Sequence, residues 1–334
     1  MNEREALQRW IDGEDLDRGE VEGLFGRLMD GALSDVYKAA LLAALAGKGE
    51  SVAEITGAAA AMRSRVTPIP HHRDRLVDTC GTGGDGSGSF NISTAAALVA
   101  AGAGVEIAKH GNRSVSSQCG SADVLEQLGV KVQVSPEEAG LALDTIGVAF
   151  LFAPGLHPAM REVMPVRREL GVRTVFNLVA PLTNPAGARR QVLGVPERRW
   201  VSTHAAVLAD LGCDHALVVH GDGFDEITTT GETHVAEVRG ADVGMTTIRP
   251  EEFGIRPVSK SDLAGGSAEV NAAAMMKILE GEEGPLADIS ALNAGAAIYV
   301  GGLADDLASG VDLARECLAS GAALAKLEEL KGIG

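Results

Sequence analysis

The pattern of apolar positions changes near residue 68. Before that point apolar residues recur at helical spacing, as in residues 34–47, SDVYKAALLAALAG. A second helix is predicted to begin at Ser51, because Glu54 stands three residues later in capping-box spacing. The segment VTPIPHHRDR then interrupts the pattern with two prolines. We therefore predict a helical domain over residues 1–68 and a second domain over residues 69–334.

Beyond residue 68 short β-branched runs alternate with helical stretches. Ser135 is predicted to cap one of these helices, with Pro136 at its first position and Glu138 completing a capping box. Alternation of this kind predicts an α/β fold, here a large domain with a mainly parallel central sheet, in which ligands bind at the carboxyl ends of strands. The predicted strands are LVDT (76–79), VEIAK (105–109), VKVQV (130–134), VAFLFA (148–153) and HALVVHG (215–221).

Composition narrows the class of protein. The chain has 334 residues and a formal net charge of −17, so anionic surfaces would repel it and we expect neither nucleic acid nor membrane as a partner. The four cysteines form no CxxC pair, which disfavours a zinc site and a disulfide framework. The start, MNEREALQRW, has no apolar signal region, and no apolar run approaches the ~18 residues that span a bilayer. We expect a cytoplasmic protein.

The stretch DTCGTGGDGSGSFNIST is a predicted junction of strand, glycine loop and helix. Such a junction presents free backbone N–H groups and the positive end of a helix, which suits a phosphate or pyrophosphate. Neither GxGxxG nor a P-loop lysine is present, and a plain surface turn stays an alternative. The candidate residues are the glycines Gly81, Gly83 and Gly84, the donors Asn91, Ser93 and Thr94, and Asp85, which could orient a hydroxyl or a metal-bound water.

A second polar cluster follows the next predicted strand. Ser121 is expected to cap the helix after this cluster. Two consecutive strands that end in anion-friendly loops predict a ligand with more than one phosphate. The cluster consists of Lys109, His110, Asn112, Arg113, Ser116 and Ser117.

Two further clusters suggest a metal and an acidic substrate. Asp225 and Glu226 are adjacent carboxylates after a predicted strand, and such oxygen ligands favour Mg²⁺ when a pyrophosphate lies nearby. His157 and Arg167 lie ten residues apart on an interrupted helical segment. An arginine can clamp a carboxylate with two parallel hydrogen bonds, whereas a solvated surface arginine is the plainer alternative.

Taken together, these motifs resemble the anthranilate phosphoribosyltransferase family, which carries out the second step of tryptophan biosynthesis. The matching stretches occur in consistent order and run nearly to the C-terminus. They are GTGGD, NIST, KHGNRSVSS, GSADVLE, HPAM, VRRELGVRTVFN, PLTNPA and DGFDEIT. The resemblance implies an active site in the cleft between a helical and an α/β domain, a contribution to the helical domain from about residues 170–190, a homodimer, Mg²⁺, and the substrates phosphoribosyl pyrophosphate and anthranilate.

The resemblance also implies roles for individual residues. Catalysis would rest on Lys109, Asp225 and Glu226, and Mg²⁺ would be bound by Ser93, Asp225 and Glu226. Phosphoribosyl pyrophosphate would be held by Gly81, Thr82, Gly84, Asp85, Asn91, Ser93, Thr94, Lys109 and Ser117. Anthranilate would contact Gly81, Asn112, His157 and Arg167, the last through its carboxylate.

The chain departs from the family pattern at Ala180, where glycine is usual before PLTNP. An added methyl there is expected to tighten the anthranilate site or to stiffen closure of the cleft. Two other functions stay open. A pyrimidine nucleoside phosphorylase has no reason to keep the Asp-Glu pair, and a non-catalytic nucleic-acid-binding relative should be basic and should have lost those carboxylates.

Overall fold

The computed structural model describes residues 1–114 and 118–333. Its strands are β1 (Val77–Gly81), β2 (Ile107–Gly111), β3 (Val148–Phe152), β4 (Arg190–Gly194), β5 (His215–Gly221), β6 (Thr233–Arg239) and β7 (Asp242–Ile248). Its helices are α1 (Glu3–Ile11), α2 (Arg18–Met29), α3 (Asp35–Lys48), α4 (Val52–Arg63), α5 (Ile92–Gly102), α6 (Ser121–Gln127), α7 (Pro136–Ile146), α8 (Ala153–Leu156), α9 (Met164–Leu170), α10 (Val175–Val179), α11 (Arg199–Asp210), α12 (Ala268–Leu279), α13 (Pro285–Gly301), α14 (Leu307–Ser320) and α15 (Ala322–Lys331).

Side-chain caps begin several of these helices as the sequence predicts. Ser51 and Glu54 form a reciprocal capping box at α4, and Ser135 and Glu138 form another at α7. Glu54 is fully buried and also accepts hydrogen bonds from the Trp10 indole at 2.7 Å and from Lys48 at 2.9 Å. One carboxylate therefore caps α4 and ties the N-terminal helices together.

The cap of α6 differs from the prediction. The helix begins at Ser121, and its N-cap is Gly120. The Ser121 hydroxyl instead donates to the Asn112 carbonyl at 3.1 Å and accepts from the Asn112 N–H at 3.2 Å. A side chain at position 120 has no room, because a Cβ there would lie 2.3 Å from the backbone nitrogen of Ser114. Close packing of the loop therefore decides which residue precedes the helix.

One seven-stranded sheet forms the centre of the α/β part, in the order β3-β2-β1-β4-β5-β6-β7. Strands β1 to β5 pair with one another in parallel, and β6 and β7 add an antiparallel edge beyond β5. The predicted fold class, a small helical part followed by a large α/β part with a mainly parallel sheet, is confirmed. Strands β4, β6 and β7 were not predicted from the sequence.

The predicted strand at residues 130–134 is wrong. Val130 and Val132 are buried whereas Lys131 and Gln133 are exposed, so the segment has the alternation of a strand. It nevertheless pairs with no strand of the sheet. Alternation reports burial of one side of an extended chain, and it does not report whether a neighbouring strand is available for hydrogen bonding.

The sheet separates two main apolar clusters. Along β5, Leu217 and Val219 pack on one face, and Ala216 and Val218 pack on the other. The second face shares its cluster with α1 to α4 and with apolar side chains of residues 163–182. That shared cluster is what joins the helical part to the sheet. A boundary at residue 68 stays a prediction. Within residues 1–114 and 118–333, no helix combines the length and apolar character needed to cross a membrane.

Candidate active site

The loop that follows β1 is fastened to the ends of two neighbouring strands. The Thr82 N–H donates to the Gly194 carbonyl at 2.9 Å, and the Gly83 N–H donates to Oδ2 of Asp225 at 2.9 Å. Gly83 and Gly84 have φ of +67° and +78°, a left-handed backbone that favours glycine. The glycine loop is therefore held open by β4 and by the loop after β5.

Two glycines of the sheet make room for a carboxylate. A Cβ on Gly81 would lie 2.2 Å from Oδ2 of Asp225, and a Cβ on Gly194 would lie 1.5 Å from the Asp225 carbonyl oxygen. The sequence suggested that Gly81 leaves space for a ligand. The structure provides a different physical reason, since the Asp225 side chain already occupies that space.

Asp225 and Glu226 follow β5 and converge with Asp85 of the glycine loop. The Ser93 N–H at the start of α5 donates to Oε1 of Glu226 at 3.1 Å, and the Asp225 N–H donates to Oδ2 of Asp85 at 3.4 Å. Burial, reinforced by the charge of Asp85, raises the pKa of Asp225 to about 7. Burial and the charge of Asp225 raise the pKa of Glu226 well above its ordinary value. This corner of the site is short of positive charge.

Lys109 is a buried cation whose charge acts on Glu226. Its ammonium group donates to the Thr79 carbonyl at 2.5 Å and to the Ser93 hydroxyl at 3.4 Å. Burial lowers the pKa of Lys109, and the charges of Asp78, Cys80 and Glu226 oppose that shift. The structure thus brings the predicted residues Lys109, Ser93 and Glu226 together at the carboxyl ends of β2 and β5 and the beginning of α5.

Asn91 and Thr94 face protein groups. The Asn91 amide donates to the Cys119 carbonyl at 3.2 Å and its oxygen accepts from Asn271 at 2.8 Å. Thr94 is 1% exposed. Their contact with a donor substrate stays a prediction, as does that of Thr82. Ser117, together with Ser116, lies outside the described residues.

One predicted acceptor residue, His157, belongs to a pair of buried histidines, whereas no hydrogen bond or ring contact between described residues joins Asn112 or Arg167 to that pair. Nε2 of His110 and Nε2 of His157 are 3.0 Å apart, and Nδ1 of His157 is buried without a hydrogen-bond partner among the described residues. Burial lowers the pKa of His110 to about 3 and that of His157 to about 4, so both rings are neutral near pH 7. The exposed Asn112 accepts from the N–H of Arg113 at 2.7 Å.

Arg167 is half-buried on α9 without an ion pair to any residue that the structure describes. One of its nitrogens lies 3.4 Å from Oδ1 of Asn177, and its guanidinium carbon lies 5.5 Å from the centroid of the Phe176 ring. Burial lowers the pKa of Arg167. A half-buried guanidinium without a carboxylate is suited to an acidic ligand.

Asp78 and Asn184, which were not predicted from the sequence, support the site through a second set of hydrogen bonds. Asp78 accepts from the His110 N–H at 3.0 Å and from the Asn184 amide at 2.8 Å. The same Asn184 amide donates to the Ala108 carbonyl at 2.8 Å. Asp78 therefore holds β2 beside the segment PLTNPA. The one signal in the sequence was the Asp of the apolar run LVDT, since a carboxylate that a strand buries must find hydrogen-bond partners, whereas an Asn beside prolines is ordinary in a turn.

The cluster of Asp85, Asp225 and Glu226 suits a divalent cation that is also bound by a ligand. Among residues 1–114 and 118–333, no group of three or more His, Cys, Asp or Glu is arranged to hold a metal ion by itself. Asp225 and Glu226 are nevertheless adjacent half-buried oxygen donors with raised pKa values, and a cation would offset their repulsion. Mg²⁺ usually takes only one or two protein carboxylates and completes its coordination with water and substrate phosphate.

Comparisons with known proteins agree along the whole chain. Residues 4–66 match the glycosyl transferase family, helical bundle domain, and residues 73–324 match the glycosyl transferase family, a/b domain. An anthranilate phosphoribosyltransferase from Anaeromyxobacter sp. (strain Fw109-5) is 51% identical over 99% of this chain and 98% of that protein. One from Clostridium kluyveri (strain ATCC 8527) is 49% identical, over 98% of each chain.

Solved structures of similar proteins share the fold. The crystal structure of anthranilate phosphoribosyltransferase from Thermus thermophilus is 49% identical, covers 98% of each chain and superposes with a TM-score of 0.94. The Saccharomyces cerevisiae enzyme, solved in complex with phosphoribosyl pyrophosphate and Mg, is 24% identical, covers 99% of this chain and 97% of that chain, and has a TM-score of 0.88.

Proposed function

Because this chain belongs to the anthranilate phosphoribosyltransferase family, we propose that it transfers the 5-phosphoribosyl group of phosphoribosyl pyrophosphate to the amine of anthranilate. The products would be N-(5-phosphoribosyl)anthranilate and pyrophosphate. Membership makes the protein a glycosyltransferase of tryptophan biosynthesis. The observation that carries the detailed reaction is the convergence of the glycine loop, Lys109 and the pair Asp225 and Glu226 at one edge of the sheet.

The donor would bind along the glycine loop. The predicted set is Gly81, Thr82, Gly84, Asp85, Asn91, Ser93, Thr94, Lys109 and Ser117, and the geometry supports Ser93 and Lys109 most directly because they contact each other beside Glu226. Asp225 and Glu226, with Ser93, would hold Mg²⁺, which when bound supplies positive charge to the departing pyrophosphate.

The acceptor would bind on the side of His157 and Arg167. Arg167 would take the anthranilate carboxylate, and Asn112 and Gly81 are the other predicted contacts. The rings of His110 and His157 are neutral near pH 7, so they add no cation to the acceptor side. The amine nitrogen attacks the anomeric carbon while the bond from that carbon to the pyrophosphate oxygen breaks, and the amine then loses one proton. An aromatic amine is unprotonated at pH 7, so we assign no general base.

Three finer features belong to the same proposal. Gly86, Ser87 and Gly88 are exposed, whereas Ser89 is bridged to Ala264, which supports a flap over the donor that is anchored at one end. A donor-bound structure with the flap unchanged would contradict this idea.

We also propose a homodimer formed through the helical part, and a cytoplasmic location stays a prediction.

Two exposed apolar side chains of the helical part are candidate contacts of the proposed homodimer. Ile11 of α1 is 64% exposed and Val36 of α3 is 79% exposed, and these two helices pack against each other. A sedimentation measurement that gives the mass of one chain at micromolar concentration would contradict the dimer.

The backbone conformation at position 180 accommodates alanine. Its φ of −51° and ψ of −49° lie in the ordinary helical region, so the methyl costs no strain. Its carbonyl accepts the Thr183 hydroxyl at 2.8 Å. An effect of Ala180 on the anthranilate site or on closure would therefore arise from side-chain contact with the ligand or with the moving parts.

A direct assay tests the reaction. Protein, Mg²⁺, phosphoribosyl pyrophosphate and anthranilate are mixed, and loss of anthranilate fluorescence is followed. We expect loss that requires all four components. An unchanged signal, with phosphorolysis of a pyrimidine nucleoside or tight DNA binding instead, would replace the proposed function with one of the two alternatives.

A further inference from the structure

Arg173 connects the segment between α9 and α10 to the glycine loop. It lies between α9, which carries Arg167, and α10. Its Nη1 is 3.4 Å from the carbonyl oxygen of Gly83 and 3.4 Å from that of Gly84. Sequence reasoning assigned no role to Arg173, although it stands within VRRELGVRTVFN.

Arg173 lies directly against Gly84. A Cβ on Gly84 would lie 2.1 Å from Nη1 of Arg173, but this atom is the end of a long flexible side chain, so the requirement for glycine comes from the left-handed φ of +78°. Within residues 1–114 and 118–333, no carboxylate lies within ion-pair distance of Arg173. Its hydrogen-bond partners among the described residues are the two backbone carbonyls of the glycine loop.

These carbonyl contacts set the direction of two N–H groups. In a trans peptide the C=O of one residue and the N–H of the next point in opposite directions. Contacts from Arg173 to the carbonyls of Gly83 and Gly84 therefore direct the N–H groups of Gly84 and Asp85 away from Arg173. Neither of these N–H groups donates to a residue that the structure describes. Successive free N–H groups in a left-handed turn form an anion-binding concavity.

We propose that Arg173 is a positioning residue of the donor site: its hydrogen bonds to the Gly83 and Gly84 carbonyls turn the N–H groups of Gly84 and Asp85 toward the diphosphate of the sugar donor. This inference rests on the proposed function and deepens it.

Substitution of Arg173 tests the inference. Arg173→Met keeps the length of the side chain and removes its donors, and Arg173→Lys keeps a donor and the charge. We expect Arg173→Met to raise KM for phosphoribosyl pyrophosphate about tenfold, with kcat and KM for anthranilate within about twofold of wild type. Arg173→Lys should recover most of the loss. Arg161→Met, in the exposed turn Pro158–Glu162, is the matched control and should change neither KM.

The outcomes separate this inference from the proposed function. Active wild type with an unchanged donor KM in Arg173→Met overturns the role of Arg173 and leaves the function standing. An inactive wild type overturns the proposed function. The inference is then decided by calorimetry with inorganic pyrophosphate and Mg²⁺. Arg173→Met is expected to bind pyrophosphate about tenfold more weakly than wild type. A wild-type crystal structure with donor should show phosphate oxygens on the Gly84 and Asp85 nitrogens; a guanidinium moved onto the phosphate would overturn the positioning role.

Discussion

The two halves of the site show opposite electrostatic strain. On the donor side, burial raises the pKa values of Asp225 and Glu226. On the acceptor side, burial lowers those of His157 and Arg167. In each case burial disfavours the charged form. On the donor side the carboxylates outnumber the buried cation Lys109, and on the acceptor side the histidines are neutral and Arg167 has no described carboxylate partner. Mg²⁺ and the anthranilate carboxylate would bring the charges that offset these two imbalances.

The halves also differ in how they are held. Backbone N–H groups of Gly83 and Ser93 bind the donor-side carboxylates directly. The acceptor side relies on side chains from β2 and α9 and on the turn after α8, and it leaves Nδ1 of His157 without a described partner. We therefore expect conservative side-chain changes in the site to lower activity. Bulkier residues beside its backbone contacts should lower the stability of the fold.

Glu226→Gln is expected to have the largest effect. Turnover should fall at least about 100-fold, because the substitution removes a charge aimed at the leaving group or its cation. The variant should also melt at a higher temperature than wild type, since a carboxylate with a raised pKa destabilises the folded state at pH 7.

Glu237→Gln is the control for that prediction. Hydrogen bonds from Tyr299 and His215 overcome burial and lower the pKa of Glu237, so its loss should destabilise the fold and leave turnover unchanged. Near-normal turnover of Glu226→Gln, or a lower melting temperature, would contradict the electrostatic comparison.

Gly194→Ala tests the backbone support of the donor half. The new Cβ would overlap the Asp225 carbonyl, so β4 and the Asp225 loop must separate. We expect a loss of about 1–3 kcal/mol in the free energy of unfolding and at least about a tenfold fall in kcat. Gly23→Ala in α2 is the control, because nothing lies within 4 Å of its Cβ, and it should be neutral or stabilising. Equal stability of the two variants would contradict the steric account.

The third prediction is a smaller effect on the pH dependence of stability. A histidine with a lowered pKa binds protons less readily in the folded than in the unfolded state. The contribution of His157 to the free energy of unfolding is therefore complete above about pH 6.5 and is lost as the pH falls toward about 4. Asp225 behaves in the opposite sense. Its contribution is complete below about pH 3.8 and is lost as the pH rises through about 7.

Denaturant unfolding at intervals from pH 4 to 8 measures how the two halves of the site change the free energy of unfolding with pH. His157→Asn should reduce the loss on the acid side by at most about 3 kcal/mol, and Asp225→Asn should reduce the decline toward neutral pH, while His110 and Glu226 keep their own parts of each. Parallel curves for wild type and both variants would show that the two halves carry no opposing strain.

Local signals predicted much of the molecule. The capping boxes of α4 and α7 were predicted from spacing alone, because such caps involve residues three positions apart. The strand at residues 130–134 was wrong and β4 was missed, because pairing depends on which neighbour is available. Of the predicted site, Lys109, Ser93 and Glu226 come together, and the roles of Asn91 and Thr94 stay predictions.

The sequence by itself determined the alternation of helices and strands, the glycine loop, and the order of the family motifs, because these features depend on short-range spacing. Only the tertiary structure decided why particular glycines are needed. Gly81 and Gly194 lie opposite each other on neighbouring strands, and both must leave room for Asp225. Likewise only the folded chain places Arg173 on the glycine loop. Contacts between segments so distant in the chain follow from the order of the strands, which no local pattern specifies.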